Sequence, residues 1–153
     1  NEYDNPELVH DDIHSISIYN YNPSDSSIEF DYDIKMHSKP TTVYNNENYL
    51  ISGLQDNGCY ITLLGDNGQE MTKFGCDNFT VNDIVYDDVN NKLLLTCGDD
   101  GVLIYHWTGD SMTPIFQNHI ISSFAYKAKI YVSEDNNIYV IVATEYGVEI
   151  YSL

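Results

Sequence analysis

Histidines, cysteines and a series of acidic turns are the residues of this chain whose types and spacing bear most directly on chemistry. His10 and His14 flank a pair of aspartates in the run HDDIH. On a helix, that four-residue offset puts two imidazoles on one face, an arrangement that holds zinc. The residues that follow read as a strand, however, and no glutamate stands where an HExxH motif would need its general base. Exposed loop histidines are therefore the reading that the sequence favours. His37, His106 and His119 stand singly.

The acidic turns are Asp56-Asn57-Gly58, Gly65-Asp66-Asn67-Gly68 and Gly98-Asp99-Asp100-Gly101. They offer the hard oxygen ligands that calcium prefers, and Asp66, Asp99 and Asp100 are the candidate ligands. None has the ligand spacing of a helix-loop-helix calcium loop. Turn chemistry accounts for the same residues, because Asp and Asn side chains bond their own backbone and Gly takes positive φ. No cofactor is required, and calcium is the one ion these turns suit.

The cysteines are Cys59, Cys76 and Cys97. Cys59 opens one expected strand and Cys76 closes the next, across the turn Gly65 to Gly68. That hairpin brings the two together at its open end, so a Cys59–Cys76 bridge is sterically allowed. The alternative is a set of small buried thiols, common in sheet cores, and Cys97 is read as simply packed. Asn78-Phe79-Thr80 is an N-glycosylation sequon in a loop, whereas the proline in Asn22-Pro23-Ser24 rules that triplet out. There is no nucleophile elbow, no phosphate loop, no CxxC pair and no serine–histidine–aspartate arrangement, so no enzyme is expected.

Charge narrows the partners. The chain carries 24 acids against 6 lysines and no arginine, a formal net charge of −18. Phosphate backbones and anionic membrane surfaces are bound through Lys and Arg, so neither nucleic acid nor a membrane surface is an expected partner. The longest apolar run, Ile138 to Ala143, has the length of a buried strand and not of a membrane span. High acidity, the sequon and a bridge together point to an extracellular or cell-surface setting.

The elements that position these residues form a repeat. Three stretches share one pattern: Leu50 to Leu64 (LISGLQDNGCYITLL), Leu93 to Trp107 (LLLTCGDDGVLIYHW) and Tyr139 to Leu153 (YVIVATEYGVEIYSL). Each has an apolar run, an acid two residues before a glycine, and an isoleucine three residues after it. The acids are Asp56, Asp99 and Glu145, the glycines Gly58, Gly101 and Gly147, and the isoleucines Ile61, Ile104 and Ile150. Ser15 to Tyr21 (SISIYNY) is a partial fourth copy with Ile18 in the isoleucine slot, and the isoleucine spacings are 43, 43 and 46 residues. A period near forty with several short strands per unit is the signature of a β-propeller blade. Short first strands follow the same period at Thr41 to Tyr44, Ile84 to Asp87 and Ile130 to Ser133. Ile28 to Lys35 (IEFDYDIK) alternates cleanly, with Ile28, Phe30, Tyr32 and Ile34 expected on one face.

Asn91 to Tyr105 (NKLLLTCGDDGVLIY) and Asn137 to Tyr151 (NIYVIVATEYGVEIY) resemble the LVIVD-repeat branch of the β-propellers, relatives of the WD-repeat and YVTN-type propellers. The resemblance covers most of the chain after residue 12. It departs at the end of the third strand, where the family pattern has Asp and this chain has Tyr105 or Tyr151. What it implies is a fold and not an activity.

The expected architecture is thus all-β. An acidic lead-in over residues 1–12 precedes a β-propeller repeat domain over 13–153, with units of about 13–39, 40–79, 80–119 and 120–153. Strand counting gives two, four, four and three, which leaves the ring open. The expected function is a non-enzymatic extracellular structural or assembly protein that self-associates through incomplete blades, as a glycosylated filament or matrix. The alternative is a fragment of a larger propeller binding module for protein or carbohydrate. The expected partners are copies of the chain itself or the remainder of a larger propeller.

Overall fold

A computed structural model describes residues 14–153. The expected lead-in and His10 lie outside the described residues. The described chain is built of four antiparallel sheets in sequence order, with no α-helix among the described residues. The first sheet is the hairpin β1 (His14–Asn22) and β2 (Ser27–Met36). The second is the meander β3 (Pro40–Asn45), β4 (Tyr49–Leu54), β5 (Cys59–Leu63) and β6 (Met71–Phe74). The third repeats it as β7 (Asp83–Asp87), β8 (Lys92–Thr96), β9 (Val102–His106) and β10 (Ile115–Ile120). The fourth has β11 (Ala125–Val132), β12 (Ile138–Thr144) and β13 (Gly147–Ser152).

Local chemistry sets the turns. Asn46 closes the β3–β4 turn by accepting from the backbone N–H groups of Asn48 and Tyr49. Asp87 does the same for Val89 and Asn90 in the β7–β8 turn. Asn67, Asn91 and Asn136 sit at φ of 60°, 52° and 60°, a left-handed conformation that Asn tolerates better than most side chains.

The sheets stack face to face in chain order, and each joint has its own apolar core. Ile34, Met36, Leu50, Leu54 and Tyr60 fill the joint between the first and second sheets. Ile51, Ile61, Leu93, Leu95, Tyr105 and Trp107 lie in the joint between the second and third. Leu94, Val102, Ile104, Ala128, Val140 and Val142 lie in the joint between the third and fourth. Each sheet therefore has a leading face toward the next sheet and a trailing face toward the one before. The first strands of successive sheets touch, β3 beside β7 and β7 beside β11. A repeated latch joins them: the Thr41 hydroxyl donates to the Val81 carbonyl, and Asn82 Nδ2 donates to the Ala125 carbonyl at 2.8 Å.

The disulfide differs from the expectation. Cys76 bonds Cys97, and Cys59 is a buried free thiol. Cys59 pairs in register with Phe74, but the chain then leaves the ladder at Gly75 and Cys76, both at positive φ. That turn carries Cys76 to the third sheet, where Cys97 follows β8. The bridge therefore staples two sheets and does not close one hairpin.

Candidate functional site

The repeat makes positions in different sheets directly comparable. Ile51 pairs with Ile61, Leu94 with Ile104, and Ile141 with Ile150. All three pairs lie on leading faces. The first pair is buried under the third sheet and the second under the fourth. The third pair has nothing over it among the described residues. Val102 and Ile104 are 0% and 1% exposed, whereas their counterparts Val148 and Ile150 are 69% and 66% exposed. With Tyr131, Tyr139 and Ile141 these residues make an open apolar face, lined in one part by Tyr131, Tyr139, Ile141 and Ile150 alone.

The trailing face of the first sheet is open in the same sense. A bulge in β2 sets its geometry: Ile18 pairs with Tyr32 but Tyr19 with Phe30, which leaves Asp31 as the extra residue. The bulge splits the face expected from the alternation of IEFDYDIK. Ile34 and Met36 are buried against the second sheet. Ile28 and Phe30 pair instead with Tyr21 and Tyr19, which alternate away from Ile16 and Ile18. The β9–β10 hairpin carries the same device. Ile104 pairs with Asn118, Tyr105 with Phe116, and Gln117 is the extra residue. The aromatic pairs match as well, Tyr19–Phe30 at 5.8 Å and Tyr105–Phe116 at 5.6 Å between ring centroids, both edge-on. The hairpin β1–β2 is thus a second copy of β9–β10. Tyr105 is 6% exposed, with the Phe74 ring of the second sheet 5.3 Å away, whereas Tyr19 is 57% exposed.

The same correspondence shows which strand positions are occupied. The first sheet holds counterparts of the third and fourth strands of a four-stranded unit, and the fourth sheet holds counterparts of the first three. Val43 on β3 reflects this. Its counterpart Ile84 is buried against the preceding sheet, whereas Val43 is half exposed beside β1.

Charge on the two open faces is uneven. Lys127 and Lys129 alternate with Ala128 on β11 and pair with Ala143 and Ile141, which puts both lysines on the open leading face. The Lys73–Asp77 pair at 2.8 Å is the one lysine ion pair among the described residues. On the open trailing face the exposed Asp33 accepts from the Ser17 hydroxyl at 2.7 Å, and the exposed Lys35, paired with Ser15, lies beside it. Inside the covered joint, burial pushes the Tyr105 hydroxyl up to about 12 and raises the Cys59 thiol, so both are neutral near pH 7.

The candidate calcium ligands do not converge. Among the described residues no three His, Cys, Asp or Glu side chains form a group that could hold a metal ion. Asp66 caps its own turn, accepting from the backbone N–H groups of Gln69 and Glu70. Asp100 lies in the β8–β9 turn, where His119 Nε2 is 3.5 Å from its carboxylate. Two of the three acid-glycine turns are the same structure. In one, the Leu54 N–H donates to the Gly58 carbonyl at 3.0 Å, and in the other Cys97 donates to Gly101 at 2.8 Å. Both glycines sit at φ +74°, and Asp56 and Asp99 are exposed beside them. The third differs. Glu145 and Tyr146 alone connect β12 to β13, and Gly147 lies in the strand at φ +140°. Asn78 is exposed at φ 66° in the loop after the disulfide, while the Thr80 hydroxyl donates to the Gln55 carbonyl.

Compared with models of known protein families and with curated protein sequences, the chain matches none. An open ring was expected from the strand count, but the residues that line its open faces were not named. Tyr19 stands one residue after Ile18, as Tyr105 and Tyr151 follow Ile104 and Ile150, and that shared slot was the available signal.

Proposed function

We propose that the chain is a non-enzymatic assembly subunit: a run of propeller-type blades whose open ends are covered by sheets of the same kind from other copies. The observation that carries this reading is the exposure of Val148 and Ile150 at positions that are buried in the preceding sheet. An apolar face of this kind is costly to leave in water and marks an interaction surface. The Cys76–Cys97 bridge fits an oxidising compartment, and the exposed Asn78 fits a glycosylated extracellular product. No helix among the described residues is long and apolar enough to cross a membrane.

Native mass spectrometry tests the reading. The expected result is a series of discrete multiples of 17.5 kDa, with hexose increments lost on Asn78→Gln. A single unmodified mass at every concentration contradicts it.

A second reading is favoured by one observation, the missing strand positions in the first and fourth sheets. In it the chain is a run of blades inside a larger propeller that presents its loops to a protein or carbohydrate. A reading frame that continues through further repeats at the 43-residue spacing supports this second reading.

A further inference from the structure

We propose that association is head to tail: the leading face of the fourth sheet in one copy docks on the trailing face of the first sheet in the next. The inference rests on the assembly reading above and gives it a polarity.

Every joint inside the chain has this polarity. Ile51 and Ile61 lead into Leu93, Leu95 and Tyr105, and Leu94 and Ile104 lead into Val140 and Val142. Ile141 and Ile150 hold the same leading positions with no described sheet over them, and Tyr19 and Phe30 hold the trailing positions of Tyr105 and Phe116 with no described sheet before them. The open faces thus match the two sides of a joint that the chain builds internally, at the strand positions each sheet holds. Aromatic rings suit the receiving half. At the internal joint Tyr49 stands edge-on to Trp107 with ring centroids 6.1 Å apart, and Tyr139 and Tyr21 hold the corresponding positions on the two open faces.

Charge favours this pairing over a symmetric one. A contact between two leading faces would bring Lys127 and Lys129 of both copies into one interface, which like-charge repulsion opposes. A head-to-tail contact sets the two lysines against a face where Asp33 stands beside Lys35, so that they meet one carboxylate and one lysine in place of two lysines. A heterologous contact of this kind propagates unless it closes into a ring, so the product is a ring or a filament.

Sedimentation velocity on the full chain in 0.15 M salt tests the polarity with two surface variants, Ile150→Asp on the leading face and Tyr19→Asp on the trailing face. Both residues are exposed, and an unchanged far-UV circular dichroism spectrum checks that both variants fold. The expected result is self-association of the wild type, weakened at least about tenfold in each variant alone, because each loses apolar contact area and must strip water from a carboxylate. Mixed one to one, the variants should form a dimer and stop there, since each retains one intact face. If Ile150→Asp abolishes association and Tyr19→Asp leaves it intact, the contact is symmetric and the polarity is overturned while the assembly reading stands. If the wild type is a monomer at all concentrations up to about 100-fold above a micromolar affinity, the assembly reading falls and the polarity falls with it.

Discussion

The hairpins β1–β2 and β9–β10 are the same object in two environments. Both place a tyrosine after the repeat isoleucine, both pair it with a phenylalanine, and both carry one extra residue at the next position of the outer strand. In the third sheet, Tyr105 is sealed beneath the second sheet and stapled there by Cys76–Cys97. In the first sheet, Tyr19 faces outward. The difference teaches that the hairpin's conformation comes from its own pairing and bulge, whereas burial comes from the neighbouring sheet. A position can therefore be built for burial and still lie open, and the assembly proposal rests on such positions.

The largest expected effect separates covered from open positions directly. Leu94→Ala removes side-chain volume from a closed joint and should cost about 2–5 kcal/mol. Ile141→Ala changes the corresponding open position and should cost about 1 kcal/mol or less in the monomer. Urea denaturation of both variants at low protein concentration checks the contrast, and equal losses would break it.

Next in size is the staple. Cys97→Ser opens a loop with a sequence separation of 21, worth about 3 kcal/mol in the chain-entropy account. Thermal melts should show the loss. Hydrogen exchange should speed up in β9 and β10 and stay unchanged in β1 and β2, which the bridge does not touch.

A smaller contrast lies in the turns. A Cβ on Gly101 would stand 2.2 Å from the Ile120 carbonyl at φ +74°, so Gly101→Ala should cost about 1–3 kcal/mol. Gly147 is at φ +140° with nothing within 4 Å, so Gly147→Ala carries backbone strain without a clash. Its loss of stability should be the smaller of the two in the same assay.

The smallest effect is in pH. Tyr105 has a folded value raised to about 12 by burial, above the ordinary tyrosine value of 10.0. The contribution of its neutral form is complete below about pH 10 and is lost as pH rises toward 12, because the unfolded chain releases that proton first. Tyr105→Phe should flatten the fall in stability between pH 10 and 12, measured by denaturation at fixed ionic strength.

Much of the fold was legible because the repeat is written in local residues. The acid-glycine turns and the isoleucine spacing give sheets of two, four, four and three strands in the order expected. What was not legible depends on events between units or on single-residue slips. The alternation of IEFDYDIK reads as one clean face, and nothing in it marks Asp31 as the extra residue. The bridge escaped because Cys76 and Cys97 belong to different sheets and meet only once these stack. Glu145 and Gly147 keep the acid-glycine spacing although the turn is shorter. That slip makes Val140, and not Tyr139, the counterpart of Leu93, since each pairs with the tyrosine that follows the repeat isoleucine. Of the candidate calcium ligands, Asp99 and Asp100 share the β8–β9 turn while Asp66 lies in the β5–β6 turn, and Asp66 and Asp100 are engaged locally.

The most direct test of the central claim is amide hydrogen exchange on the wild-type chain across a concentration series. If the open faces are the ends of an assembly, peptides from β1 and β13 should gain protection together as concentration rises, while β9, already covered, stays constant. Exchange in β1 and β13 that does not change with concentration would contradict the account.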